Sequence, residues 1–314
     1  MRVLITGAGG FVGSALIRHL RACLPQCAIV GTTHSSPRTS ADPLTDYVRC
    51  DIVARGGQEI ADLIHNVQPD HVYHLAGMAS GASSDRDTVF RANLDGTRFV
   101  VNAVRGFAPQ ARVLFASTGY VYGACDPKRP AREDDPLPPP GGSGVYGDSK
   151  RAAEEWLAAQ EFPVIVARAF NHTGPEQTQA FAVPAFAAQV IQIERGAQSE
   201  LRVGNLEAAR DFLDVRDVVR AYAGLMQAGQ AGIVNVCSGE AVPMRDVLDM
   251  LCAQSPAVIP ITTDPSRMRP ADIPVSVGDH SRLSALTGWQ PQVPLADTLR
   301  ETLDWWRARP PRAG

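Results

Sequence analysis

The chain has 314 residues, 45% of them hydrophobic, and a formal net charge of −3, enough apolar content to bury a sizeable core as one unit or two closely joined lobes. Acids and bases are mixed along it, which makes no case for a nucleic-acid or membrane-surface partner, and no segment approaches the roughly 20 apolar residues that span a bilayer. The opening residues read as a strand and glycine loop rather than a signal peptide, so a cytoplasmic location is expected; the six cysteines, scattered and without clustered histidines, read as reduced core residues rather than a metal site or disulfide framework.

In chain order, Arg2–Thr6 reads as a short buried strand running into Gly7-Ala8-Gly9-Gly10-Phe11-Val12-Gly13, followed by a helical pattern through Leu16, Ile17 and Leu20. Glycines at 7, 10 and 13 make a tight turn, let the backbone around Phe11 and Val12 approach a pyrophosphate, and allow the helix to pack close on the strand. The helix N-terminus adds about half a positive charge. Strand, glycine turn and helix in that order are the context a dinucleotide-binding turn requires.

Further strands are predicted at Cys27–Thr33, Tyr47–Cys50, His71–Ala76, Arg112–Ser117 and Val164–Arg168, with helices at Ile60–Val67, Val89–Val104 and Val145–Gln160. Short apolar strands alternating with helices predict an α/β fold, a doubly wound parallel sheet of Rossmann type over residues 1–170. From residue 171 to 314 the rhythm is less regular. Helices at Phe181–Arg195, Val215–Met226, Met244–Ala253 and Leu295–Arg307 predict a smaller lobe, with the strand near 232–238 returning to the sheet. The Pro-rich run Asp126–Gly144 lies between two catalytic candidates and reads as an active-site loop.

Open parallel sheets bind ligands beyond the carboxyl ends of their strands. After the third strand stands Asp51, with Ile52 beside it; its carboxylate either accepts from an adenine amine or caps its own turn. His74 reads as structural, and Leu75-Ala76-Gly77 permit a close approach of backbone to a cofactor. Ser117 and Thr118 offer hydroxyls to a substrate carbonyl. Tyr146 and Lys150, four residues apart on a predicted helix, share a face, which sets a phenol beside an ammonium and predicts a lowered phenol pKa. Lys128 is the only other lysine.

Together these motifs, in this order, resemble the extended short-chain dehydrogenase/reductase family, in its branch acting on nucleotide-linked sugars, over nearly the whole chain. The resemblance implies Thr118, Tyr146 and Lys150 as the catalytic set and Asn93, in the helix before it, as a proton-relay support at the cofactor site, the alternative for Asn93 being a helix-surface amide. It also implies Asn171, within Arg168-Ala169-Phe170-Asn171-His172-Thr173-Gly174-Pro175, as a donor to a phosphate or sugar oxygen. Arg210, in a stretch similar to that of the GDP-mannose 4,6-dehydratases and the reductases that follow them, and Arg269 suit a diphosphate, with Asp272 an acceptor for ribose hydroxyls. Trp289 reads as core. A homodimer is implied by the same resemblance.

Sugar-nucleotide dehydratases carry acidic residues just after the catalytic Thr, where this chain has Gly119 and Tyr120. The epimerase-reductases use a Cys and His pair; here Cys125 lies beyond the Tyr122-Gly123 turn, and His172 has no clear partner. The implied reaction is reduction of a GDP-linked 4-keto-6-deoxy-D-mannose to GDP-D-rhamnose, downstream of a GDP-mannose 4,6-dehydratase. GDP-6-deoxy-D-talose formation, another epimerase or dehydratase activity, and a non-catalytic nucleotide sensor on the same fold are the alternatives. The second strand ends in Gly31-Thr32-Thr33-His34-Ser35-Ser36-Pro37-Arg38, with no carboxylate before Asp42. This predicts NADPH as the preferred cofactor through Ser35 and Arg38, with NADH tolerated.

Overall fold

The structure, a computed structural model of the chain, describes residues 1–34, 39–79, 85–268 and 273–310. Strands and helices alternate through β1 (Arg2–Thr6), α1 (Phe11–Cys23), β2 (Ala28–Thr33), β3 (Thr45–Arg49), α2 (Gln58–Val67), β4 (His71–His74), α3 (Arg86–Phe90), α4 (Gly96–Phe107), β5 (Arg112–Thr118), α5 (Gly144–Ala158) and β6 (Val164–Ala169). The second half runs β7 (Asn171–Thr173), α6 (Ala182–Glu194), β8 (Leu201–Val203), β9 (Ala209–Asp214), α7 (Val215–Ala228), β10 (Gly232–Val236), β11 (Ala241–Pro243), α8 (Met244–Cys252), β12 (Ile261–Thr263), β13 (Val275–Ser276), α9 (Ser281–Thr287) and α10 (Leu295–Arg307).

Seven parallel strands form the main sheet in the order β3-β2-β1-β4-β5-β6-β10. A strand covered on both faces must be apolar throughout, and Val3, Leu4 and Ile5 are fully buried while all six residues of β6 are buried. Leu16 and Leu20 of α1 pack with Val218 and Tyr222 of α7 on one face. Ile60 and Ile64 of α2, Val100 and Val104 of α4, and Leu157 of α5 cover the other. A separate apolar cluster joins Phe186 and Val190 of α6, Leu248 of α8 and Leu303 of α10, against which β8 and β9 lie. Register brings Thr6 opposite His74 and Thr118 opposite Ala169, so the strands that carry the candidate residues end level with one another.

The helix expected over 89–104 is interrupted. A π-helical turn, Arg91–Asp95, separates α3 from α4, and such turns place an extra residue where a function or a buried contact demands it. The short strands β7, β8, β11, β12 and β13 and the helix α9 escaped the sequence reading, because two to seven residues carry too little periodicity. The six-residue β9 escaped it because its run, buried from Arg210 to Asp214, does not alternate. The cysteines do not all match their expected core placement: Cys27, Cys50 and Cys237 are buried, Cys125 and Cys252 are half-buried, and Cys23 is exposed. Among the described residues, no helix is long and apolar enough to cross a membrane.

The turn after β1 depends on absent side chains. A Cβ on Gly13 would lie 2.5 Å from the Gly7 carbonyl oxygen and 2.6 Å from Ala8 Cα, backbone atoms that cannot rotate aside. Gly13→Ala is therefore expected to destabilise the protein by about 1–3 kcal/mol, read as a lower urea midpoint at unchanged slope.

Candidate active site

A cavity of about 730 Å³ opens at the carboxyl ends of the sheet strands and reaches into the α6–β8 region. One wall is the turn at Gly7, Gly10, Phe11, Val12 and Gly13, continued by Leu75, Gly77 and Met78. The second holds Thr118, Tyr120, Tyr146 and Lys150, and the third Asn171, His172, Arg202, Arg210 and Arg267. Among its described lining residues there is no Asp or Glu.

The glycine turn fits a dinucleotide on its own geometry. Gly7 has φ +72°, and a Cβ there would meet Ala76 N at 2.9 Å, so β1 and the segment after β4 touch backbone to backbone. Gly10 opens α1 with no side-chain cap, which leaves the amides of the first helical turn available to an anion, supported by the helix dipole.

Behind that turn runs a buried polar chain. Ala76 N donates to Thr6 Oγ1 (3.1 Å), which bonds His74 Nδ1 (2.7 Å); His74 Nε2 bonds Thr97 Oγ1 (3.1 Å), and Thr97 donates to the Asn93 carbonyl (2.6 Å). Because Thr97 spends its proton on Asn93, the imidazole is the donor at Nε2. Burial, with a smaller push from Lys150, lowers the His74 pKa to about 3, so the ring is neutral and structural. Asn93 is buried rather than on a helix surface. Its side chain accepts from Met78 N (2.8 Å) and donates to the Met78 carbonyl (3.1 Å) and Ser149 Oγ (2.9 Å), and this double clamp is what the π turn delivers.

Tyr146 and Lys150 sit on α5, the phenol half-buried at the cavity and the ammonium buried. The expected lowering of the phenol pKa by Lys150 does not hold in the free protein. Burial pushes it up to about 12, the hydrogen bond with Thr118 pulls it back, and Tyr120 adds to the rise. Lys150 Nζ instead donates to the Ala116 carbonyl at 2.9 Å and stands 4.7 Å over the Phe115 ring. Its own pKa is lowered to about 8 by burial, with Glu154 acting in the opposite sense. Thr118 is buried at the end of β5 and caps the following turn by accepting from Tyr120 N at 3.2 Å. Ser117 also lines the cavity, and its hydroxyl donates to Glu154.

Gly119 is sealed by packing, since a Cβ there would come within 2.7 Å of the Phe170 ring. Tyr120 meets Tyr146 edge to face at 6.1 Å. His172 stacks on Phe11 (6.2 Å, 7°) and its Nδ1 bonds the Phe170 carbonyl at 2.9 Å. Cys125 faces the Gly123 carbonyl instead and is not part of the cavity lining. Asn171 lines the cavity with a buried Oδ1 that has no hydrogen-bond partner among the described residues. Arg210 is buried and donates to the Ala209 carbonyl at 2.8 Å. Arg202 and Arg267, paired with Glu200 and Asp264, also line the cavity. Sequence reading passed them over because a lone arginine looks like solvated surface.

Asp51 accepts from Val53 N at 3.0 Å. By that bond the carboxylate caps its own turn, and Asp51 stands with Ile52 and Ala76 outside the cavity lining. Ser35, Arg38, Arg269 and Asp272 lie outside the described residues. Trp289 is core, its indole donating to the Asp217 carbonyl at 3.0 Å.

Residues 4–302 match the family described as GDP-mannose 4,6 dehydratase. The chain belongs to that family. It is 33% identical over 316 residues to GDP-6-deoxy-D-mannose reductase of Pseudomonas aeruginosa, with 98% of each chain covered. The solved structure of RMD from Pseudomonas aeruginosa complexed with NADPH aligns with TM-score 0.81 and 31% identity, covering 98% of this chain and 99% of that one. UDP-glucose 4-epimerase of Thermus thermophilus, in complex with NAD, aligns with TM-score 0.86 and 28% identity over 98% and 99%. The protein is thus an NAD(P)-dependent oxidoreductase of the short-chain dehydrogenase/reductase type, in the nucleotide-sugar branch.

A buried lysine that binds its proton less tightly when folded weakens the fold while it stays charged. Its contribution is fully favourable above the unfolded value of 10.5 and is lost as pH falls through about 8. Lys150→Met is therefore expected to raise the melting temperature of the cofactor-free protein at pH 7 by about 2 °C or more. It should also remove the gain in stability that the wild type shows between pH 8 and 10; calorimetry across that range checks both.

Proposed function

We propose that the protein reduces the C4 ketone of GDP-4-keto-6-deoxy-D-mannose to give GDP-D-rhamnose. The observation that carries this reading is a cavity lining that holds the Tyr146 phenol with Lys150 and Thr118, three arginines, and no carboxylate among its described residues. Ketone reduction needs one proton donor and a clamp for the carbonyl. Dehydration needs in addition an acid for the C6 hydroxyl and a base for the C5 proton, and Phe170 leaves no room at position 119 for either. The similarity to a GDP-6-deoxy-D-mannose reductase supports the same choice.

Gly7, Gly10, Phe11, Val12 and Gly13 would hold the cofactor pyrophosphate, with Leu75, Ala76 and Gly77 against its nicotinamide half, Asp51 and Ile52 near the adenine, and Asn93 holding the Gly77–Met78 segment in place. Ser35 and Arg38 would favour the 2′-phosphate of NADPH, with NADH tolerated. Bound reduced nicotinamide supplies a hydride. Tyr146 donates its proton to the alkoxide forming at C4, Thr118 bonds that oxygen as it gains charge, and Lys150 stabilises the tyrosinate left behind. A phenol raised to about 12 by burial stays protonated at neutral pH, as a donor must. Asn171, with its unpartnered oxygen, together with Arg210, Arg269 and Asp272, would take the nucleotide sugar.

Because the substrate is already dehydrated, a GDP-mannose 4,6-dehydratase must act first, and the working form is taken as a homodimer. The pose of the sugar selects between GDP-D-rhamnose and its C4 epimer, GDP-6-deoxy-D-talose.

Tyr146→Phe is expected to lower kcat by about 10²- to 10⁴-fold while leaving cofactor affinity nearly unchanged, since only the proton donor is lost. A variant at near wild-type rate would remove the central claim. The decisive assay couples the protein to a GDP-mannose dehydratase with NADPH or NADH and identifies the product by NMR. Without the dehydratase, GDP-mannose and oxidised cofactor should remain unchanged; appearance of a 4-keto-6-deoxy sugar would move the protein to the dehydratases.

A further inference from the structure

We propose that Glu154 is a positioning residue for Lys150, keeping the ammonium charged from one helical turn away while a buried network that reaches from α5 to the Pro-rich loop fixes the carboxylate. The proposal rests on the reading of Lys150 as the cation of the proton-transfer site. Glu154 follows Lys150 by one helical turn, so the two share a face of α5, and both are buried. Its carboxylate accepts from Ser117 Oγ, the neighbour of Thr118, and from Arg168, with Nε at 3.1 Å from each oxygen and Nη2 at 2.6 Å. Arg168 Nη1 donates to Tyr122 Oη (2.8 Å), Tyr122 to Asn235 Oδ1 (2.8 Å), and Asn235 N to Glu133 Oε1 (2.8 Å).

The network links α5, β5, β6, β10 and the loop carrying Glu133. A buried ion pair gives weak grounds for stability, because apolar residues of similar volume often serve as well. The position of Glu154 relative to Lys150 supplies a different reason for it.

Among the described residues, the groups facing Lys150 are few. β5 offers the Ala116 carbonyl and the Phe115 ring. β4 offers His74, a neutral imidazole. From its own helix come Tyr146 and Glu154, and from β6 comes Arg168, already ion-paired to Glu154. Among these, Glu154 is the carboxylate that opposes the loss of the lysine proton on burial.

The chain has two lysines, Lys128 and Lys150, so protein labelled with ¹³Cε-lysine gives two signals, assigned by Lys128→Arg. In the cofactor-free wild type, the Lys150 signal is expected to titrate near pH 8. In Glu154→Gln, which keeps an oxygen acceptor but removes the charge, the midpoint falls by about one pH unit. Glu154→Asp, which withdraws the charge by one methylene, moves it less in the same direction. A Lys150 midpoint left in place by Glu154→Gln overturns the proposal, even if turnover or melting temperature drops. Should the Gln variant not fold, the Asp variant decides on the same criterion. The titration requires no catalysis, so a wild-type protein inactive on the ketosugar would sink the reductase reading and leave this result readable.

Discussion

An ammonium buried at the carboxyl edge of a parallel sheet must replace its water with fixed partners, and the arrangement around Lys150 follows from that need. The Ala116 carbonyl near the end of β5 accepts from it, and an aromatic face lies beneath it. Gly77 has no side chain because a Cβ would sit 3.4 Å from the ammonium and 2.5 Å from Asn93 Oδ1. Asn93 in turn reaches the Met78 backbone only because the helix before α4 takes a π turn. The lysine thereby dictates the course of β5, the segment after β4, and the helix that covers them.

Close backbone packing sets the other boundary of the site. Gly7 and Gly13 draw β1, α1 and the segment after β4 together, and Gly119 and Gly278 press on opposite parts of the Phe170 ring, each with a prospective Cβ within 2.7 Å of it. Phe170 begins the segment that carries Asn171 and His172 into the cavity, so the same ring that excludes a side chain at 119 also places these two lining residues. A site built this way has no room for a carboxylate beside Thr118. Its chemistry is restricted by sterics before any question of charge arises.

Much of this was legible in the chain. Alternation of short apolar runs with 3.6-residue periodicity determined the parallel α/β sheet, because a strand buried on both faces and a helix buried on one have different apolar spacing. Glycines at 7, 10 and 13 after a strand determined the close-packed turn from β1 into α1. Tyr146 and Lys150, at i and i+4, determined a phenol and an ammonium on one helical face, since helix geometry is local.

The tertiary structure alone decided what those groups experience. Lys150 turns to the Ala116 carbonyl rather than lowering the Tyr146 pKa, because desolvation depends on what the rest of the chain stacks over the pair. His74, Thr97 and Asn93 form one chain across β4 and the π turn, and Ser117, Glu154, Arg168, Tyr122 and Asn235 form another across four elements. Except for Asn93 and Thr97, one helical turn apart, no spacing rule brings such residues together. Only the packed sheet makes them neighbours.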